Sequence, residues 1–98
     1  MAQQVFKITD ATDVKLISIN DGVSVIKSMT IANIHSSEAI VDLYLKNSDE
    51  TKHYIFKNLL LPTGVTLKMD SDEVSFDNRL HDLYINLGGT TPVDVIIN

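Results

Sequence analysis

The 98-residue sequence contains no cysteine and no tryptophan, and it has few prolines, glycines and aromatic residues. The absence of cysteine excludes a disulfide scaffold, a thiolate zinc site and a cysteine nucleophile. The sequence also lacks the glycine-rich loops that bind nucleotide phosphates and the Gly-x-Ser-x-Gly turn that carries a serine nucleophile. We therefore expect a protein that is not an enzyme, with no catalytic residue, no cofactor and no small-molecule substrate.

Basic residues are also few, with eight Lys and Arg against 13 Asp and Glu and a net charge of −5. A direct contact with nucleic acid needs clustered Lys and Arg, so we expect none. Apolar runs such as Leu59–Leu61 are far shorter than the ~20 residues that cross a membrane. Residues 1–7 show no signal-peptide pattern, which favours a soluble chain made in a cytoplasm, without a membrane partner.

What the sequence does have is β-branched and aliphatic residues: Val, Ile and Leu supply 30 positions, whereas Ala and Glu supply four and three. This composition is typical of strands. Turn signals divide the chain into eight or nine short strands, with Val74–Phe76 as the optional one. The predicted strands are Val5–Thr9, Val14–Ile19, Val23–Asn33 with a bend near Lys27, Ala39–Lys46, Lys52–Leu59, Val65–Met69, Val74–Phe76, Leu83–Leu87 and Val93–Ile97.

Strands of this length and spacing predict one all-β domain over residues 1–98. We expect a small two-sheet antiparallel β-sandwich rather than a barrel, because two packed sheets bury the apolar face of each. The pattern does not distinguish an immunoglobulin-like from a jelly-roll-like topology. The clearest alternation places Val41, Leu43 and Leu45 in the core, and Asp42 and Tyr44 on the opposite face.

The histidines and acidic residues predict no metal site. The spacing of His35, His53 and His81 matches no metal signature, and all three are expected in turns, loops or near a strand start. The acidic cluster does not follow the EF-hand pattern, and we interpret it as a solvated loop, with a divalent site at Asp70 and Asp72 as the alternative. The cluster consists of Asp70, Asp72, Glu73, Asp77 and Asp82.

Three tyrosines are the candidate contact residues. Tyr44, Tyr54 and Tyr84 each lie in a predicted strand, and Tyr44 lies on the strand face opposite the core residues. Tyrosine is common at core margins and at subunit interfaces, and this is the interpretation we prefer. The alternative is a platform on which a sugar ring stacks.

One stretch of the sequence is more specific than a general β pattern. It comprises Ser28–Asn33, Ala39–Leu45 with Val-Asp-Leu-Tyr-Leu, and Tyr54–Leu67 with Lys-Asn-Leu-Leu-Leu-Pro-Thr-Gly-Val-Thr-Leu. It resembles a family of small β-sandwich virion proteins of tailed bacteriophages, including phages of cyanobacteria. The resemblance covers about residues 25–97 and rests on residues that determine turns and strand ends. It implies no active-site residue.

The resemblance implies a virion structural protein, most simply a head decoration (cement) protein that binds the particle surface as a symmetric oligomer. Its expected partners are copies of itself and other virion proteins, such as the major capsid or tail proteins. The alternatives are a neck, tail or baseplate component and a carbohydrate-binding host-attachment module. An acidic surface is compatible with a particle exterior, since it repels DNA.

Overall fold

The computed structural model describes residues 4–9, 13–18, 27–70 and 80–98, which form eight strands and no helix. In these ranges, therefore, no helix is long and apolar enough to cross a membrane. The strands are β1 (Gln4–Ile8), β2 (Val14–Ile17), β3 (Ser28–Ala32), β4 (Ala39–Asn47), β5 (Lys52–Leu61), β6 (Thr66–Asp70), β7 (His81–Leu87) and β8 (Val93–Ile97).

The strands form two four-stranded sheets. The first sheet has the order β1-β8-β3-β6 and the second has the order β2-β7-β4-β5. Every paired strand is antiparallel to its neighbour. The expected two-sheet antiparallel β-sandwich is therefore confirmed.

The strand order also decides between the two topologies that the sequence leaves open. Among the eight strands, only β4 and β5 are consecutive in the chain and adjacent in one sheet. Each of the other six connections joins a strand of one sheet to a strand of the other. An immunoglobulin-like domain contains more hairpins within its sheets. The observed order is that of a jelly roll.

The core lies between the two sheets, where alternate residues of the facing strands are buried. The central strands β3, β8, β4 and β7 supply most of it, because each is paired on both sides. The fully buried side chains come from both sheets and include Met29, Ile31, Val41, Leu43, Leu83, Ile85, Val93 and Val95. In β4, the inward position of Val41 and Leu43 is as predicted.

The chain ends in a strand that is held on both sides. β8 pairs with β1 along one edge and with β3 along the other. Just beyond β8, the Asn98 backbone N–H donates to the Ser28 carbonyl at 3.0 Å, and the Asn98 carbonyl accepts from the Lys27 N–H at 2.8 Å. These contacts fix the position of β8 between β1 and β3.

Three local details differ from the prediction or lie outside the described residues. β5 continues to Leu61, two residues beyond the predicted end. His81 begins β7 and is not in a loop. The predicted segments Val23–Val25 and Val74–Phe76 fall outside the described ranges.

Asn33 joins three segments at one end of the sandwich. Its side-chain amide donates to the carbonyls of Leu61 (2.9 Å) and Ser37 (2.8 Å), and its Oδ1 accepts the His35 backbone N–H at 3.0 Å. Asn33 is a buried polar residue, only 1% exposed. These bonds satisfy its polar atoms and fix the loop that leads into β4.

The turn between β5 and β6 follows directly from its sequence. The Val65 N–H donates to the Pro62 carbonyl at 3.1 Å, and Gly64 has a φ of 77°. A positive φ at the third residue of a four-residue turn favours glycine, which lacks a Cβ atom. The Gly64 N–H also donates to the Asn33 carbonyl at 2.9 Å, which attaches the turn to β3.

Candidate functional site

A row of four side chains crosses the outer face of the second sheet. Lys15 of β2 pairs with Tyr84 of β7, Tyr84 pairs with Tyr44 of β4, and Tyr44 pairs with Tyr54 of β5. Residues directly opposite each other in antiparallel strands point to the same face, so one row spans all four strands. We refer to the surface built on this row as the tyrosine face.

The three tyrosine rings contact one another along the row. The centroids of Tyr44 and Tyr84 are 5.4 Å apart with nearly parallel planes, at an angle of 5°. The centroids of Tyr44 and Tyr54 are also 5.4 Å apart, with planes tilted by 51°. Both distances lie in the range of favourable aromatic pairs. The structure thus brings together the three tyrosines that the sequence analysis proposed as an interface.

Lysine side chains cover the faces of these rings. The Nζ atoms of Lys52 and Lys57 lie 5.0 Å from the ring centroids of Tyr44 and Tyr54, respectively. Lys46 lies 5.1 Å and Lys15 5.8 Å from the centroid of Tyr84. These distances are within the range of cation–π attraction. The lysines therefore hold the rings in place and give the face a charged rim.

Carboxylates balance part of this positive charge. Lys46 pairs with Glu50 at 2.6 Å, and the Glu50 carboxylate raises the pKa of the Lys46 ammonium. Lys15 and Lys52 form longer contacts, to Asp82 at 3.8 Å and to an Asp13 oxygen at 3.9 Å. Ion pairs this exposed contribute little stability. Their effect is to arrange both signs of charge around an aromatic centre.

The centre of the face is the Tyr44 hydroxyl, which is buried beside the Asp13 carboxylate. It makes no hydrogen bond of regular geometry with the described residues. Burial and the adjacent carboxylate raise the pKa of the Tyr44 phenol well above 10. Burial also acts to raise the pKa of Asp13, but the Asn86 amide, the Tyr44 hydroxyl and the Lys52 charge outweigh it and lower that pKa.

Exposure differs sharply among the three tyrosines. Tyr44 is 1% exposed although it lies on the outer face, so it is not solvent-exposed in the single chain, and its place at an interface stays a prediction. Its neighbours and Lys52 cover it. Tyr54, on the edge strand, is 42% exposed, and Tyr84 is intermediate. A partner would therefore contact Tyr54 and the lysine rim first.

The sequence analysis found the tyrosines but missed the lysines and Asp13. The signal for two of them was present, because Lys46 and Lys52 are each two residues from a tyrosine in the same strand and so share its face. Asp13 and Lys15 become visible only when the register of β2 against β7 is known. Sequence alone does not supply that register.

Other candidate residues lie away from this face. His35 is exposed in a bend, while His53 and His81 approach each other. Within the described ranges, no three His, Cys, Asp or Glu side chains gather where they could hold a metal ion. Asp72, Glu73 and Asp77 lie outside those ranges, and with them the alternative divalent site at Asp70 and Asp72.

Comparison with known proteins assigns no family, since no family model and no curated protein matches the sequence. Similar solved structures include the Yersinia pseudotuberculosis-derived mitogen, at 11% identity over 98% of this chain and 80% of that one, with a TM-score of 0.46. A designed double-stranded β-helix has 8% identity over 100% and 97% of the two chains, with a TM-score of 0.39. Infectious bursal disease virus (Gt strain) has 15% identity over 98% and 31%, with a TM-score of 0.32. Likenesses this low establish no shared function.

Proposed function

We propose that the chain is a non-enzymatic structural protein of a tailed-phage particle that decorates the capsid surface as a symmetric oligomer. The sequence resemblance over about residues 25–97 supports the tailed-phage part of this proposal. The residues that carry this resemblance have structural roles in the sandwich. Asn33 connects three segments, and Gly64 permits the turn after β5.

The observation that carries the proposal is the tyrosine face. It is a sheet surface with an aromatic centre and a rim of both charges. Protein interfaces are enriched in tyrosine near their centres, with a polar rim around them. Rings that already stack on one another lose little conformational freedom when a partner binds. Such a face suits a contact with another protein subunit.

The proposed partners are copies of the chain and other virion proteins, such as the major capsid or tail proteins. Jelly rolls are common in viral capsids, which makes this architecture compatible with a particle component, although a fold alone does not specify a function. The proposed location is the virion, after synthesis in the host cytoplasm. The net charge of −5 disfavours direct contact with packaged DNA.

The first test is the protein content of purified particles. Density-gradient-purified particles of the encoding phage should contain the chain by mass spectrometry, in many copies per particle. Immunogold labelling should place it on heads. Labelling of the neck, tail or baseplate would instead support the alternative, a neck, tail or baseplate component. Absence of the chain from purified particles would refute both.

The second test asks whether the tyrosine face makes the contact. Purified chain should co-sediment with particles that lack it, and Tyr54→Glu should weaken this association at least tenfold. The matched control is Val5→Glu, because Val5 is 67% exposed on the outer face of the other sheet. Both variants should keep the melting temperature of the parent. Equal binding by both would exclude the tyrosine face as the contact.

A carbohydrate-binding host-attachment module is the second candidate, and the exposed ring of Tyr54 is the observation that favours it. Lectins also use jelly rolls, and sugars stack on free aromatic faces. Against it, Lys57 lies over the Tyr54 ring, and Tyr84, Tyr54 and Lys52 cover Tyr44. A glycan array separates the two functions, since specific binding lost in Tyr54→Ala would support the module.

A further inference from the structure

Two histidines converge at one end of the second sheet, away from the tyrosine row. His53 lies near the start of the edge strand β5, where it pairs with Leu45 of β4. His81 begins β7 on the other side of β4, where it pairs with Asn47. Leu45 and Asn47 are two residues apart and point to the same side of the sheet, so the two histidine side chains also lie on that side.

The two imidazole rings are close and differ in exposure. Their centroids are 6.0 Å apart and their planes are nearly perpendicular, at 89°. His53 is exposed, so its ring can turn without disturbing the core. His81 is partly buried, and its Nδ1 atom is buried without a hydrogen-bond partner in the described residues. A buried nitrogen without a partner calls for an explanation such as a bound ion.

We propose that His53 and His81 together bind a divalent transition-metal ion, with Zn²⁺ as the expected ion. Neutral imidazole nitrogens suit Zn²⁺, Ni²⁺ and Cu²⁺, whereas Mg²⁺ and Ca²⁺ prefer oxygen ligands. A zinc ion lies ~2.0–2.1 Å from each ligating nitrogen. When two imidazoles ligate the same ion, their ring centroids are therefore about 5–6 Å apart. The observed centroid distance of 6.0 Å lies at the upper end of that range.

The pair supplies two of the four ligands that zinc usually takes. The nearby Asp49 carboxylate accepts the Thr51 N–H at 3.1 Å, and the described residues contain no third ligand at this point. Water molecules, or the same two histidines of a second copy, complete the coordination. The site is distinct from the proposed particle contact and does not depend on it.

The test is a Zn²⁺ titration by isothermal calorimetry on the full chain without a histidine tag. The parent protein should bind Zn²⁺, and His53→Ala and His81→Ala should each weaken binding by at least about tenfold, the size of effect seen even for residues outside the first shell. His35→Ala is the matched control, because His35 is an exposed histidine in a bend, and it should bind like the parent.

Failure of the parent to bind Zn²⁺, or an equal loss in His35→Ala, would overturn the proposal. His81 is partly buried, so the melting temperature of each variant is measured first. If His81→Ala does not fold, the exposed His53 decides the question alone. Binding of one Zn²⁺ per chain would indicate completion by water, and one per two chains with a doubled mass in light scattering would indicate a second copy. Either stoichiometry supports the site.

Discussion

At the scale of single residues, Asn33 shows how one polar side chain can fix a fold. It is almost fully buried, yet each of its side-chain polar atoms has a partner in a different segment. A buried hydrogen-bonding group is stabilising only while its partners are satisfied. The asparagine that directly follows β3 therefore has a structural role, because no aliphatic side chain could make these bonds.

Replacing Asn33 tests this role. Asn33→Ala leaves the buried Leu61 carbonyl without its side-chain donor and should lower the free energy of unfolding by about 2–4 kcal/mol. The control is Asn47→Ala, because Asn47 makes one exposed side-chain bond, to the Thr51 N–H. It should cost less than about 1 kcal/mol. Urea unfolding measures both, and similar losses would contradict the assigned role of Asn33.

Tyr44 is the second residue with an unusual environment. Its raised pKa means that the folded state favours the neutral phenol. The corresponding stability is complete below the ordinary pKa of 10 and is lost as the pH rises through the higher pKa of the folded state. The sign is opposite for Asp13, whose lowered pKa adds stability above about pH 4 that is lost in acid.

Tyr44→Phe should therefore change the alkaline stability of the protein more than its stability at neutral pH. The melting temperature of the parent should fall steeply above pH 10, and this fall should be smaller in Tyr44→Phe, which has no phenol to ionise. Tyr54→Phe is the control, because that ring is exposed. An alkaline fall as steep in Tyr44→Phe as in the parent would show that another group causes it.

At the scale of elements, β4 carries the register on which both the core and the tyrosine face depend. Val41 and Leu43 point into the core, while Asp42 and Tyr44 point outward. A shift by one residue would exchange the two faces. On the outer face, the Asp42 carboxylate accepts the Asn58 backbone N–H at 2.6 Å, and Asn58 has a φ of 55°. This bond anchors an irregular point of β5.

Paired substitutions in β4 test that register. Leu43→Asp places a charge without a partner in the core and should abolish soluble folding. Asp42→Asn keeps an acceptor for the Asn58 N–H, so its free energy of unfolding should change by less than about 1 kcal/mol. Circular dichroism and urea unfolding give both results. The reverse outcome would mean that the assigned register is wrong by one residue.

The sequence was most informative where period-two alternation is strong. In β4 it predicted both the strand and its buried face, and in β7 and β8 it predicted the strand, because these central strands have one solvent-facing side. The edges were harder: β5 continues to Leu61, and His81 is in a strand because pairing with Asn47 holds it there. The composition of the tyrosine face depends on cross-strand register, which is set by tertiary packing and not by local sequence.

At the scale of the whole molecule, the sandwich has open strand edges that a partner can cover. β5 is an edge strand of ten residues, and in the described part of the chain only β4 pairs with it. It carries two large exposed hydrophobic side chains, Tyr54 and Leu60. Long edges of this kind promote association unless they are protected. A second copy of the chain is the partner that would protect it in a symmetric oligomer.

Light scattering coupled to size-exclusion chromatography tests this expectation. The parent should elute as one species whose mass is two or more times that of the 10.9 kDa chain, in whole multiples. Leu60→Glu places a charge on the β5 edge and should shift the mass toward that of one chain, because burying an unpaired charge opposes association. Val5→Glu, on β1 of the other sheet, should keep the oligomer. A parent mass of 10.9 kDa at all concentrations would show that β5 is not covered by a second copy in solution. Loss of the oligomer in Val5→Glu but not in Leu60→Glu would place the contact on the first sheet.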